Sequence, residues 1–78
     1  MNVPKSLNAL TVGGRGRVLS LSSSGRMRRR LMALGLIPGV KIDCVGRSPL
    51  GDPAAYSVLG AVIAIRDCDA QTVLIEIE

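Results

Sequence analysis

Only one stretch of this 78-residue chain spaces its apolar residues as a helix does, and a stop signal cuts it short. At about 100° per residue, Met27, Leu31 and Leu34 fall on one narrow stripe, the i, i+4, i+7 pattern of a helix packed on a core. Ser24 or Ser23 stands where a side-chain oxygen can cap the first free amides. Gly35 stands where helices end in a left-handed residue, Leu36 or Ile37 can fold back on the last turn, and Pro38 prevents the helix from resuming. The spacing therefore predicts one short helix over about residues 24–34. A helix of this length is not stable alone, so the rest of the chain must give it a surface to pack on.

That surface reads as β. After Pro38-Gly39, Val40, Ile42 and Cys44 alternate as inward residues with Lys41 and Asp43 outward. Residues 17–21 read as an earlier strand, with Leu19 and Leu21 inward. Residues 55–59 and 61–65 make two more short strands around a turn at Gly60. Val73, Ile75 and Ile77 alternate with Leu74, Glu76 and Glu78 in a last one. Met1 to Lys5 read as a loose start, residues 6–10 as one helical turn carrying Leu7 and Leu10 over the core, Val12 to Gly14 as a turn, 48–53 as a loop of turn residues, and 67–70 as a single 3₁₀ turn. About five short strands, one short helix and no βαβ spacing predict a mainly β chain folded as a small, strongly bent antiparallel barrel. We expect one domain, residues 1–78.

The core must be aliphatic, because the chain has no Phe or Trp and only Tyr56 among the aromatics. A chain this size sits near the limit at which a fold often needs a staple or a partner. Cys44 and Cys68 are the only thiols. Without a secretory opening, the expectation is a reducing cytoplasm and free thiols. The longest apolar run, 61–65, is far short of the ~20 residues of a membrane span.

Charge is unevenly placed. Residues 1–42 hold eight Lys/Arg and no acid, while residues 43–78 hold two Lys/Arg and all six acids. In so small a fold the halves can neutralise each other, or they can leave a polarised surface that steers an acidic partner. On the helix, Arg26, Arg29 and Ala33 point roughly opposite the apolar stripe, and Arg28 and Met32 share one flank. This is either a solvated basic face with a stray methionine or a docking surface, since Arg and Met are enriched at interfaces. Arg26 and Arg28 stand near the helix N-terminus, where cations oppose the macrodipole, so a reason to keep them there is to be sought outside helix stability.

Catalysis is not expected. The chain has no histidine, and no Ser or Cys has a recognisable base partner. Residues 22–25 resemble a phosphate-binding loop only superficially, since the lysine of that motif is missing. No cofactor is expected. A closed metal site needs about four ligands; the candidates for divalent-metal binding are Asp67, Cys68 and Asp69, with Asp52, against the plainer reading of a solvated turn. Nucleic acid is the other alternative, given Arg15, Arg17, Arg26, Arg28, Arg29 and Arg30 on a small barrel. Without aromatic stacking platforms such binding would be weak and salt-sensitive.

The run Arg29-Arg30-Leu31-Met32-Ala33-Leu34-Gly35-Leu36-Ile37-Pro38-Gly39 resembles the R-R-L-x-x-L-G-[L/I]-x-P-G core of ferrous-iron transport protein A, the FeoA family. Residues 49–53, 56–60 and 63–66 are similar to the segment that follows, and Val12-Gly13 departs from the family's frequent Pro-Gly. The resemblance implies an SH3-like barrel, related to the one that ends DtxR-type iron-dependent repressors. It also implies a non-catalytic cytoplasmic accessory protein, held at the membrane's inner face through a FeoB-type ferrous-iron transporter with its own GTPase domain. On this reading Arg26, Arg29, Arg30 and Met32 are the partner-contact residues.

Overall fold

The computed structural model describes residues 4–78, so the expectation for Met1 to Val3 lies outside the described residues. In chain order the elements are β1 (Pro4–Ser6), a 3₁₀ turn (Leu7–Ala9), β2 (Arg15–Leu21), α1 (Gly25–Ala33), β3 (Lys41–Arg47), β4 (Ala54–Val58), β5 (Ala61–Ile65), α2 (Asp67–Ala70) and β6 (Val73–Ile77). The strands form one antiparallel sheet of six in the order β1-β6-β2-β3-β4-β5. The sixth strand is β1, where a loose start was expected. Three residues with a proline carry no alternation signal; pairing with β6, Lys5 opposite Ile75, makes them a strand.

Two bulges bend the sheet, one in β2 between Val18 and Ser20 and one in β3 between Cys44 and Gly46. The first corrects the expected inward pair. An extra residue in one strand moves the side chains beyond it to the opposite face. Val18 and Leu21 are therefore buried and Leu19 only half-buried. Elsewhere alternation holds: Ile42, Cys44, Val73 and Ile75 are buried, and Leu7 and Leu10 of the 3₁₀ turn close over the same core. The β4–β5 hairpin turns through Leu59 and Gly60, both with positive φ (52° and 82°), so Leu59 belongs to the turn. Residues 67–70 form one α turn instead of the expected 3₁₀ turn, with Gln71 N–H donating to Asp67 O at 3.0 Å.

The helix is where expected, but its ends differ in detail. Gly25 enters it at φ 59°, and the Ser24 hydroxyl makes no cap hydrogen bond. At the other end Gly35, at φ 106°, carries the chain back, with its N–H donating to Met32 O (3.0 Å) and that of Leu36 to Leu31 O (3.2 Å). This pair of bonds is the Schellman arrangement, which satisfies carbonyls a helix end leaves free. It tucks Leu36 fully into the core and leaves Leu34, the expected third stripe residue, 38% exposed. Leu31 is buried and Met27 packs on the core's rim.

Two residues tie the layers together. The Arg47 guanidinium donates to Leu10 O (2.7 Å), Asn8 O (3.2 Å) and Gly51 O (3.4 Å), bracing the 3₁₀ turn and the 48–53 loop against β3. Hydrogen bonds from a charged donor contribute about 1.5–3 kcal/mol each when sheltered, less at the surface. Arg47→Ala is expected to cost about 1–2 kcal/mol in urea unfolding, with Arg47→Lys recovering only part because an ammonium cannot span three carbonyls. Tyr56 is the largest fully buried side chain. Burial, with the nearby Cys44 adding to it, pushes its phenol above the ordinary value of about 10. Above pH ~10 the unfolded chain releases this proton while the folded one holds it, so the unfolded state gains and stability falls. The urea midpoint should hold up to that pH and drop beyond it. In Tyr56→Phe the drop should be smaller; an equal drop would mean another group carries it.

Candidate functional site

The structure sorts the arginines by what they touch. Arg15 pairs with Asp43 at 3.5 Å and Arg17 with Glu78 at 3.7 Å, each joining the basic half of the chain to the acidic half. Arg28 turns inward along α1 and donates to Leu21 O at 2.9 Å, pinning the helix to the end of β2. Arg47 is spent on the carbonyls described above. Arg26, Arg29 and Arg30 are exposed on α1 and, among the described residues, enter no ion pair and no side-chain hydrogen bond. The helix has no acid in its first turn. Neutralisation between the halves is thus partial. Among the described residues Lys5, Lys41 and Arg66 are also exposed and without an ion pair, but they are scattered, whereas Arg26, Arg29 and Arg30 share one helix face.

Met32 lies beside that face but is half-buried, packed against the core, so it offers the edge of a thioether more than a projecting anchor. Leu34, Ile37 and Leu59 are exposed beyond the helix's C-terminal end, and a β-carbon built on Gly35 would lie 3.2 Å from Leu59 Cδ1. The helix end and the β4–β5 turn therefore touch, and an apolar rim continues the cationic face.

The candidate metal residues are engaged in local bonding. Asp67 accepts from Asn8 Nδ2 and Gln71 Nε2, both at 3.1 Å, and its N–H donates to Asp52 Oδ1 at 2.9 Å. Asp69 is buried beside the Cys68 thiol, 3.6 Å away, and Cys68 is exposed. Among the described residues no three His, Cys, Asp or Glu side chains gather as a ligand set. Cys44 is buried in the core, as its alternation predicts. A cleft of about 310 Å³ lies between Val12, Gly13, Arg15, Asp43, Cys44 and Val45, with its two charged groups paired to each other. Sequence reasoning saw the arginines but missed Arg47 and Arg28 as structural ties, because the carbonyls they reach lie on other elements.

A family model described as the FeoA domain matches residues 5–77. The solution structure of FeoA from Chlorobium tepidum is 35% identical and superposes with a TM-score of 0.85 over 92% of this chain and 69% of that one. The zinc complex of FeoA from Stenotrophomonas maltophilia, described as a prokaryotic SH3 domain protein, is 26% identical, with a TM-score of 0.79 over 90% of this chain and 87% of that one. The Fe(2+) transport protein A/Fe(2+) transporter FeoB fusion protein of Porphyromonas gingivalis is 27% identical over 71 residues, 91% of this chain. The chain spans 8% of that curated relative's length. Six antiparallel strands and one short helix are arranged here in the SH3-like manner.

Proposed function

This chain belongs to the FeoA family, and we propose that it is a non-catalytic accessory protein of ferrous-iron uptake, a single domain that docks on a FeoB-type transporter and modulates its cytoplasmic GTPase domain. The observation that carries this reading is the Porphyromonas gingivalis relative, in which a segment similar to this chain and an Fe(2+) transporter FeoB share one polypeptide. Joining two proteins end to end raises their effective concentration for each other, a benefit where they act together. No helix among the described residues is long and apolar enough to cross a membrane, so attachment at the membrane's inner face falls to the partner.

Docking on this reading uses the uncompensated α1 face. Arg26, Arg29 and Arg30 supply charge that steers an acidic surface, and the rim of Met32 gives the contact an apolar edge. Contacts of exposed charges weaken as salt shortens the screening length. The test is a pull-down of the tagged protein from its own cells, with and without iron starvation. Recovery of a large membrane GTPase, diminished by high salt, is the expected result. Recovery of nucleic acid or ribosomal material without a transporter would overturn the reading.

A further inference from the structure

The sheet ends on one side at β1 and on the other at β5, and the two edges are not alike. β1 is three residues long and carries Pro4 and Lys5, which blunt an edge against pairing. β5 is five residues, Ala-Val-Ile-Ala-Ile, with no charge and no proline, and its register with β4 runs without a bulge. Ala61, Val62 and Ala64 are exposed, Val62 to 67%. The two-residue turn closes on the pair Val58 and Ala61, and hydrogen-bonded pairs alternate from there. Ala61, Ile63 and Ile65 therefore bond to β4, while the N–H and C=O groups of Val62 and Ala64 face outward. Among the described residues these outward groups have no backbone partner.

We propose that β5 is a self-association edge, on which a second copy of this chain pairs antiparallel about a two-fold axis through Ile63. This register sets Val62 opposite Ala64 of the second copy and Ala64 opposite its Val62, so that the free groups of both strands bond to each other. Ile63, half-buried at the rim of the core, meets its own counterpart and completes its burial. Ala61 falls opposite Ile65, and the nearest charge, Arg66, falls opposite Gly60, so no like charges meet. Every residue of the strand thus finds an uncharged one across the axis. A strand bearing charges would have to desolvate them against this edge. The surface is self-complementary, as a two-fold contact requires.

A five-residue edge buries less than the ~1,200–2,000 Å² of stable complexes, so the dimer is weak and forms with rising concentration. Each copy carries a net charge of +4, so salt that screens the repulsion strengthens the pairing. That is opposite in sign to docking through the arginines. Sedimentation equilibrium of the full chain, from micromolar to near-millimolar concentration, should show the mass rising from one copy toward two. Over the same range, amide exchange at Val62 and Ala64 should slow at least tenfold, while Ala61, Ile63 and Ile65 stay protected throughout. Val62→Lys, at an exposed position, should abolish the rise in mass and leave the rest of the amide spectrum native. A single-copy mass at every concentration would overturn the proposal. So would a dimer whose Val62 and Ala64 amides still exchange fast, or one that survives Val62→Lys.

Discussion

The double reversal Arg29→Glu/Arg30→Glu is expected to abolish recovery of the transporter while leaving the fold intact. On the proposed docking face the two guanidiniums meet acidic groups. Reversal turns those attractions into like-charge contacts costing several kcal/mol, which corresponds to at least about a 100-fold loss of affinity. The fold should scarcely respond, because neither residue enters an ion pair or side-chain hydrogen bond among the described residues. Only Arg30, in the last turn, complements the helix dipole, a contribution of about 0.3–1 kcal/mol. Arg28→Ala should separate the two effects in the opposite sense, since it deletes the tie to Leu21 O. It should lower the thermal midpoint while sparing most of the binding. Undiminished recovery of the transporter by the double variant, folded by its amide spectrum, would remove these arginines from the interface.

Gly35→Ala should cause a large loss of stability. Two costs coincide there. The backbone is held at φ 106°, where a residue with a β-carbon is strained by about 1–3 kcal/mol. The added carbon would also lie 3.0 Å from Val58 Cγ1 and 3.2 Å from Leu59 Cδ1, so the helix end must lift from the β4–β5 hairpin. Overpacking of this kind adds about 1–3 kcal/mol. We expect about 2–6 kcal/mol in all, a fall in Tm of at least roughly 10 °C for a domain of this size. Gly39→Ala is the control. It has φ 95° but nothing within 4 Å of the added carbon, so only the backbone cost applies. Equal midpoints for the two variants, by thermal unfolding, would mean that the close approach of α1 to the hairpin contributes nothing.

The sequence also exposed much of the frame around these sites. The end of α1 was legible because a helix stop is local chemistry: Gly35 must take a positive φ and Pro38 must follow. The strands of residues 40–44 and 73–77 were legible because one buried face leaves a period of two in the side chains. The bulge at Val18 to Ser20 was not, since a shift in phase is a property of two strands and β6 is more than fifty residues away. The Ser24 cap was chemically reasonable, and the left-handed Gly25 sets a lead-in in which that hydroxyl makes no cap bond. Leu34 and Leu36 exchanged places because the backbone reverses between them, which a helical wheel cannot represent.

The candidate site divides along the same line. Composition and spacing by themselves placed a cluster of arginines on one short helix and an uninterrupted apolar run at residues 61–65, because side-chain chemistry and local periodicity travel with the chain. Which charges are left over, and which strand is left unpaired, depended on partners remote in sequence. Arg17 is answered by Glu78 and Arg47 by the carbonyls of Asn8 and Leu10, while β5 is free only because the sheet ends there. Unmet charge and unmet backbone are defined by which groups have paired elsewhere, and only the tertiary structure makes those pairings.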